Sequence, residues 1–123
     1  MLPRVLLFLI TIFSAFAFTI ADNCNIMHEG KFSYMADDEE IVVVIHDTSL
    51  TEYHKKGTIK TKLEWVNSCE YNITVLRVNV PSFPMGPGDE MNVKIRRVEG
   101  REIYYTATVK AVSWDGKFTK LDD

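Results

Sequence analysis

The sequence predicts a small all-β protein, built as an antiparallel up-and-down barrel or a strongly curled sheet of about seven or eight strands. Short segments rich in Val, Ile, Thr and aromatic residues recur between Gly, Asp, Asn and Pro, and no long stretch shows helical periodicity. Several segments alternate between apolar and polar residues, so each strand has one solvated face, which is typical of antiparallel sheets. The connections are short, which favours a barrel over a Greek-key sandwich.

The first 21 residues are predicted to be an export signal that precedes a single domain over residues 22–123. Arg4 is followed by an almost wholly apolar run over residues 5–18. That run of about fourteen residues is short for a membrane span, which needs about twenty, so a removable apolar signal helix is favoured over a retained anchor. Cleavage after Ala17 or Ala21 follows the small-residue rule. The expected location is secreted or periplasmic, in the cell envelope, with no stable membrane span after cleavage.

The candidate strands follow one another along the whole domain. The alternation is clearest over residues 59–65, where Lys60, Lys62 and Glu64 share one face and the other face is predicted to point inward. On the strand over residues 102–112, Tyr104 and Tyr105 must face opposite ways. The predicted strands are residues 31–35, 41–46, 51–54, 58–66, 71–80, 90–98 and 102–112, with an eighth at 117–120.

Turn-forming residues mark the predicted connections between these strands. Tight turns are expected at residues 55–57, 99–100 and 115–116, and the acidic stretch over residues 37–40 is expected to be an exposed turn. The segment over residues 81–89 contains prolines at 81, 84 and 87. Because proline removes a ladder donor, this segment is predicted to be a loop and not a central strand.

Cys24 and Cys69 are the two cysteines of the chain, and both lie in the part that is predicted to be exported. An oxidising compartment favours their pairing, so a disulfide is predicted. It would close a loop of about 46 residues, which the chain-entropy model values at roughly 4 kcal/mol. Two free buried thiols are the alternative.

Two stretches resemble a family of small exported proteins of Bacteroidetes. They are Cys24 with the Glu-Gly-Lys-Phe-Ser-Tyr of residues 29–34, and the Leu-Glu-Trp-Val-Asn-Ser-Cys-Glu-Tyr of residues 63–71. The similarity extends to the Tyr-Tyr-Thr-Ala-Thr of residues 104–108 and implies an exported location and a similar shape, with no established activity. Some members carry the label DNA topoisomerase IV, which does not suit a chain with an export signal and no nucleotide-binding motif.

A weaker resemblance is to lipocalins. The Gly-Lys-Phe of residues 30–32 is similar to the Gly-x-Trp that often opens the first lipocalin strand, with Phe in place of Trp. It implies a lipocalin-like barrel, and a fold by itself does not establish a function.

Net charge and motif spacing count against several classes of function. The formal charge of −3 offers little attraction to phosphate backbones, so nucleic acid is not an expected partner. His28, His46 and His54 lack a metal-binding spacing, and no metal or other cofactor is predicted. Residues 46–49 contain the residue types of a nucleophilic triad, but adjacent residues of one turn rarely converge on one reacting atom. No catalytic residue is predicted.

Three glutamates, Glu52, Glu64 and Glu70, could supply the paired carboxylates of a glycoside hydrolase if a cleft held two of them at a defined separation. Nothing in the sequence indicates such a cleft. Glu64 alternates with two lysines, so a solvated face with cross-strand ion pairs is the simpler interpretation.

Aromatic residues and the proline-containing loop are the best candidates for ligand or partner contacts. They could line a concave surface or fill the core, and the interior of so small a barrel leaves room for at most one small ligand. The loop around Phe83 and Met85 is the most exposed apolar feature that the sequence predicts. The candidate contact residues are Tyr34, Trp65, Tyr71, Phe83, Met85, Tyr104, Tyr105 and Trp114.

The leading functional hypothesis is non-enzymatic binding in the cell envelope, of either a small apolar ligand or a protein partner. The alternative is a small envelope hydrolase or an inhibitor of one, which requires polar residues with perturbed pKa values around a pocket. Convergence of Glu52, Glu64 or His54 in a cavity would favour the hydrolase. A fully packed interior would count against both an enzyme and an internal ligand.

Overall fold

A computed structural model describes residues 23–122 as a closed barrel of eight antiparallel strands, which confirms the predicted fold class. The predicted export signal lies outside the described residues. No helix within residues 23–122 is long and apolar enough to cross a membrane. A short 3₁₀ helix, Cys24–Met27, precedes the strands β1 (Gly30–Ala36), β2 (Glu39–His46), β3 (Ser49–His54), β4 (Gly57–Asn67), β5 (Glu70–Val78), β6 (Glu90–Glu99), β7 (Glu102–Val109) and β8 (Val112–Lys120).

Each strand pairs with the next one along the chain, and β8 returns to pair with β1. The last contact closes the barrel through two register pairs, Phe32 with Lys120 and Ser33 with Thr119. A further hydrogen bond of 2.8 Å runs from the Leu121 amide to the Lys31 carbonyl. The sequential order is the meander that the short connections predict.

The alternation seen in the sequence determines which face of each strand enters the core. On β4, Ile59 and Leu63 are buried, whereas Lys60, Lys62 and Glu64 are exposed, as predicted. The largest fully buried side chains, among them Phe32, Ile45, Leu63 and Tyr71, come from different strands. One continuous apolar interior is therefore shared by the whole barrel.

One end of the barrel, which we call the closed end, is sealed by the short helix. The turns at residues 47–48, 68–69 and 100–101 form this end. Met27 enters the core with 0% exposure, and a Cys24–Cys69 disulfide with a Cα–Cα distance of 5.1 Å ties the helix to the β4–β5 turn, as predicted. Lys120 Nζ donates to the carbonyls of Ile26 and Glu29, at 3.3 and 3.1 Å. The Met27 side chain, the disulfide and the Lys120 ammonium group together hold the short helix against the closed end.

The opposite end, the open end, is formed by the turns at residues 37–38, 55–56 and 110–111 and by the loop over residues 79–89. The turn at residues 37–38 consists of Asp37 and Asp38, both at positive φ (50° and 64°). Such conformations are favoured for Asp in tight hairpin turns. No helix or strand covers this end within residues 23–122.

The predicted boundary between the last two strands is wrong. The chain turns at residues 110–111, where Lys110 adopts φ 55°, and not at Asp115-Gly116, which lies within β8. Gly116 pairs with Tyr105 on β7, and a Cβ on Gly116 would collide with the Tyr105 hydroxyl and ring. This glycine therefore makes room for an aromatic ring inside the barrel rather than marking a turn.

Candidate functional site

A cavity of about 220 Å³ lies inside the barrel at the open end. Its walls are mostly apolar and come from β1, β3–β8 and the loop over residues 79–89. The interior is thus only partly filled by side chains. The lining residues are Tyr34, Glu52, Ile59, Thr61, Ile73, Val75, Phe83, Pro84, Met85, Met91, Tyr105, Ala107, Trp114 and Phe118.

The loop over residues 79–89 lies across the cavity. Phe83 and Met85 are half-buried because they face the cavity. Two backbone hydrogen bonds of 2.8 Å anchor the end of the loop to β5, from Gly88 to the Val75 carbonyl and from Val75 to the Asp89 carbonyl. The prolines keep the loop out of the sheet, as predicted, and its apolar residues complete the wall.

Three polar side chains, Tyr34, Glu52 and His54, are joined by hydrogen bonds, and we call them the polar cluster. Tyr34 and Glu52 line the cavity, and His54 contacts Glu52 without lining it. The Tyr34 hydroxyl donates to Glu52 Oε1 at 2.8 Å, and His54 Nε2 lies 2.9 Å from the same oxygen. A carboxylate oxygen only accepts, so His54 Nε2 carries the hydrogen and donates. The Glu52 and His54 side chains are 13% and 8% exposed. The His54 ring also meets the Phe83 ring edge-on, with centroids 6.0 Å apart.

The cavity is an environment of low polarity with negative charge. Burial, and then the nearby Glu52, raise the pKa of Tyr34 above its ordinary value. The same two causes raise the pKa of Tyr105 to about 12. Both hydroxyls therefore stay protonated at neutral pH and act as hydrogen-bond donors or acceptors, not as bases.

Thr61 is the one serine, threonine or cysteine among the residues that line the cavity, so its hydroxyl is the candidate nucleophile there. Its Oγ1 donates to the Leu50 carbonyl at 2.8 Å, so its hydrogen is engaged away from the polar cluster. No hydrogen bond connects Thr61 to Glu52 or His54 within the described chain. A nucleophile–base pair of the kind that acyl transfer requires is not assembled there.

Five of the eight candidate contact residues line the cavity: Tyr34, Phe83, Met85, Tyr105 and Trp114. The structure places the remaining three elsewhere. Tyr71 is fully buried, and Trp65 packs between Tyr71 and His28 near the closed end. Tyr104 points outward, where the Arg97 guanidinium lies 4.2 Å from its ring centroid.

The three glutamates do not form a carboxylate pair. Glu64 is exposed on the outer face, and Glu70 accepts a hydrogen bond from Asn92 at 2.8 Å. Glu52 is the one that enters the cavity. Its position has a sequence signal, because Glu52 and His54 are two residues apart and share a strand face with the buried Leu50. Two polar residues on an inward face are unusual, and this pattern marks the site.

The histidines occupy three separate environments. His28 stacks on Trp65 with ring centroids 3.7 Å apart, and His46 is exposed beside Glu29. His54 belongs to the polar cluster. Within residues 23–122, no group of three or more His, Cys, Asp or Glu side chains is arranged to hold a metal ion.

Comparison with known proteins adds no relatives. No family model, no curated protein and no solved structure matches the chain. The chemistry of the cavity is therefore the basis for a functional proposal.

Proposed function

We propose that this protein binds a small, mainly apolar ligand in the cavity without transforming it. The observation that carries the proposal is an incompletely filled apolar cavity of about 220 Å³, sealed at the closed end and bordered at the open end by a loop. Apolar cavities of about 150 Å³ stay dry and bind benzene. Scaling the six carbon atoms of benzene by the ratio of the two cavity volumes gives room for about nine non-hydrogen atoms.

The placement of the loop favours an internal ligand over a protein partner. Phe83, Pro84 and Met85 turn toward the cavity, so their apolar surface contributes to its wall. The residues that remain exposed and apolar are scattered over the surface, for example Met35, Val66 and Leu76 on three different strands. Scattered apolar residues are ordinary on protein surfaces and need no partner to explain them.

We place this binding function outside the cytosol, in the cell envelope or the surrounding medium. The Cys24–Cys69 disulfide supports that location, since structural disulfides persist in oxidising compartments. The apolar run over residues 5–18 and the resemblance to small exported proteins of Bacteroidetes support it as well.

A small hydrolase is the second candidate, because Glu52 lines the cavity and lies 2.9 Å from His54. In such an enzyme the pair would activate a water molecule as general base. The engaged hydroxyl of Thr61 gives no support to a covalent route. Incubation with a series of aryl esters and glycosides tests this candidate: turnover that disappears in Glu52→Gln would replace the binding proposal with catalysis.

The binding proposal is tested with propylbenzene, a neutral hydrocarbon of suitable size, by ligand-observed NMR on the purified protein. We expect saturable binding that Ala107→Leu abolishes, because Ala107 is fully buried and lines the cavity. Ala111→Leu, the same change at an exposed turn position, is the control and should bind as the wild type does. Circular dichroism verifies that both variants fold. A wild-type protein that binds neither propylbenzene nor a polar derivative of the same size, or unchanged binding by folded Ala107→Leu, would refute the proposal.

A further inference from the structure

We propose that the ligand of this cavity carries a protonated amine attached to its apolar body, and that the Glu52 carboxylate binds this amine. The inference rests on the proposed binding function and specifies its ligand class. It is carried by the arrangement of hydrogen bonds in the polar cluster and by the composition of the cavity wall.

The two oxygens of the Glu52 carboxylate have different roles. Oε1 accepts from both Tyr34 and His54, at 2.8 and 2.9 Å, and these two donors fix the orientation of the group. Oε2 has no hydrogen-bond partner within residues 23–122. Within this range, every inaccessible side-chain nitrogen or oxygen of a buried or half-buried residue has a hydrogen-bond partner. Because Oε2 has none, it must be accessible. One acceptor on the cavity wall is thus left for a ligand.

Within residues 23–122, His54 is the one basic side chain that contacts Glu52. The lining residues include no lysine and no arginine. A carboxylate whose side chain is only 13% exposed has lost much of its hydration, which is costly unless hydrogen bonds or a counter-charge replace it. A cationic ligand supplies both, through a charge-assisted hydrogen bond to Oε2.

The same arrangement selects against ligands with an acidic head. A carboxylate placed beside Glu52 would meet a like charge at short range in a medium of low polarity. A neutral alcohol can donate to Oε2 but brings no charge, and a pure hydrocarbon leaves Oε2 unpaired and removes water from it. The expected order of affinity is therefore amine, alcohol, hydrocarbon and acid, from tightest to weakest.

Aromatic side chains fit the rest of such a ligand. Tyr105 stacks on Phe118 with ring centroids 4.4 Å apart, and the Tyr34 ring meets Phe118 edge-on at 5.7 Å. These rings form one wall of the cavity beside Glu52. A phenyl or short alkyl body against this wall places an amine on a short linker next to the carboxylate. The ligand class is a small arylalkylamine or alkylamine.

Four matched compounds test the inference at neutral pH: phenethylamine, phenethyl alcohol, propylbenzene and phenylacetate. They share a phenyl ring and a short chain and differ in the head group. We expect phenethylamine to bind the wild-type protein about tenfold or more tightly than propylbenzene, and phenylacetate to bind most weakly. Titration calorimetry and ligand-observed NMR provide the dissociation constants.

Glu52→Gln is the decisive variant, since it removes the charge and keeps a carbonyl oxygen that can accept from Tyr34. We expect it to lose the preference for the amine and to bind propylbenzene at least as tightly as the wild-type protein does, because a neutral amide loses less hydration than a carboxylate. Glu64→Gln, the same change on the exposed face of β4, should keep the preference. Propylbenzene binding also reports that each variant retains a folded cavity.

The outcomes separate this inference from the binding proposal. If propylbenzene binds and the amine binds no more tightly, the ligand class is wrong and the binding function stands. If the preference survives in Glu52→Gln, or disappears equally in Glu64→Gln, then Glu52 is not the recognition group. If none of the four compounds binds, the proposed function fails together with its ligand class.

Discussion

Replacing Cys24 and Cys69 together by alanine removes the covalent link between the short helix and the β4–β5 turn. The two cysteines are 45 residues apart in sequence. The chain-entropy relation for a closed loop of that length corresponds to about 4 kcal/mol at room temperature, within the typical range of about 2–5 kcal/mol for small secreted domains. That is a large share of the net stability of a domain of this size. We therefore expect the free energy of unfolding to fall by about 4 kcal/mol.

Urea unfolding followed by far-ultraviolet circular dichroism measures this loss. With a slope of about 2 kcal/mol per molar urea, which is ordinary for a small protein, the midpoint should fall by about 2 M. Trp65 adds a local signal, because it stacks on His28 beside the disulfide. In a Trp114→Phe background, Trp65 is the remaining tryptophan, and its emission should shift to the red when the short helix detaches from the closed end.

The wild-type protein in a reducing buffer is the matched control and should unfold as the double-alanine variant does. The reasoning would be refuted if removal of the disulfide cost less than about 1 kcal/mol, because the loop-closure argument would then have no bearing on this barrel. If only the Trp65 emission changed, the disulfide would hold the short helix in place without affecting the stability of the barrel.

Three further predictions concern single features of the core. Met27→Ala should lower the free energy of unfolding by about 2–5 kcal/mol in urea titrations, because a side chain with 0% exposure is truncated. Gly116→Ala should cost about 1–3 kcal/mol, because the new methyl group displaces the Tyr105 ring; a double-mutant cycle with Tyr105→Leu should recover part of that cost. Stability should also fall at alkaline pH, because burial raises the pKa values of Tyr34, Tyr71 and Tyr105 in the folded state. The unfolded chain releases these protons near pH 10, so the stabilisation is complete below pH 10 and declines as the pH rises toward about 12 and beyond. Urea titrations across this pH range measure the loss, with tyrosinate absorbance reporting ionisation; a free energy of unfolding that stays constant from pH 9 to about 12 would contradict the assignment.

The strand pattern could be predicted from the sequence because it depends on local alternation. On β4, the charged residues Lys60, Lys62 and Glu64 leave only one choice of inward face, and the structure has that face. The disulfide was predictable for a different reason, since two cysteines allow a single pairing. Both inferences need only neighbours in sequence or a count of residues.

The end of β7 could not be predicted in the same way. Asp-Gly is a strong hairpin signal, and its competitor at residues 110–111, Lys-Ala, is a weak one. The decisive fact is the cross-strand position of Tyr105, whose ring needs the space beside Gly116. A contact between two strands outweighs a local preference, and the sequence alone does not reveal it.

The candidate site, too, could be predicted only where it depends on residues close in sequence. The i, i+2 spacing of Glu52 and His54 placed both on one strand face, yet whether that face led to a cavity depended on how the whole barrel packs. Tyr34 completes the polar cluster from β1, with β2 between it and β3. Trp65 and Tyr71 were equal candidates as contact residues, and the structure places both beside the β4–β5 turn at the closed end, where Trp65 stacks on His28 and Tyr71 is fully buried.

The seam between β1 and β8 determines how the open end can respond to a guest. Its two register pairs lie near the closed end, and none joins Tyr34–Ala36 to β8 within the described part of the chain. Backbone hydrogen bonds therefore close the barrel between β1 and β8 at the closed end only. At the open end, β1 and β8 meet through side chains, such as the Tyr34 ring against Phe118. Side-chain rotation can widen this end without breaking backbone hydrogen bonds between strands. The width of the ligand is therefore limited by side-chain rotamers and by the loop, not by the number of strands.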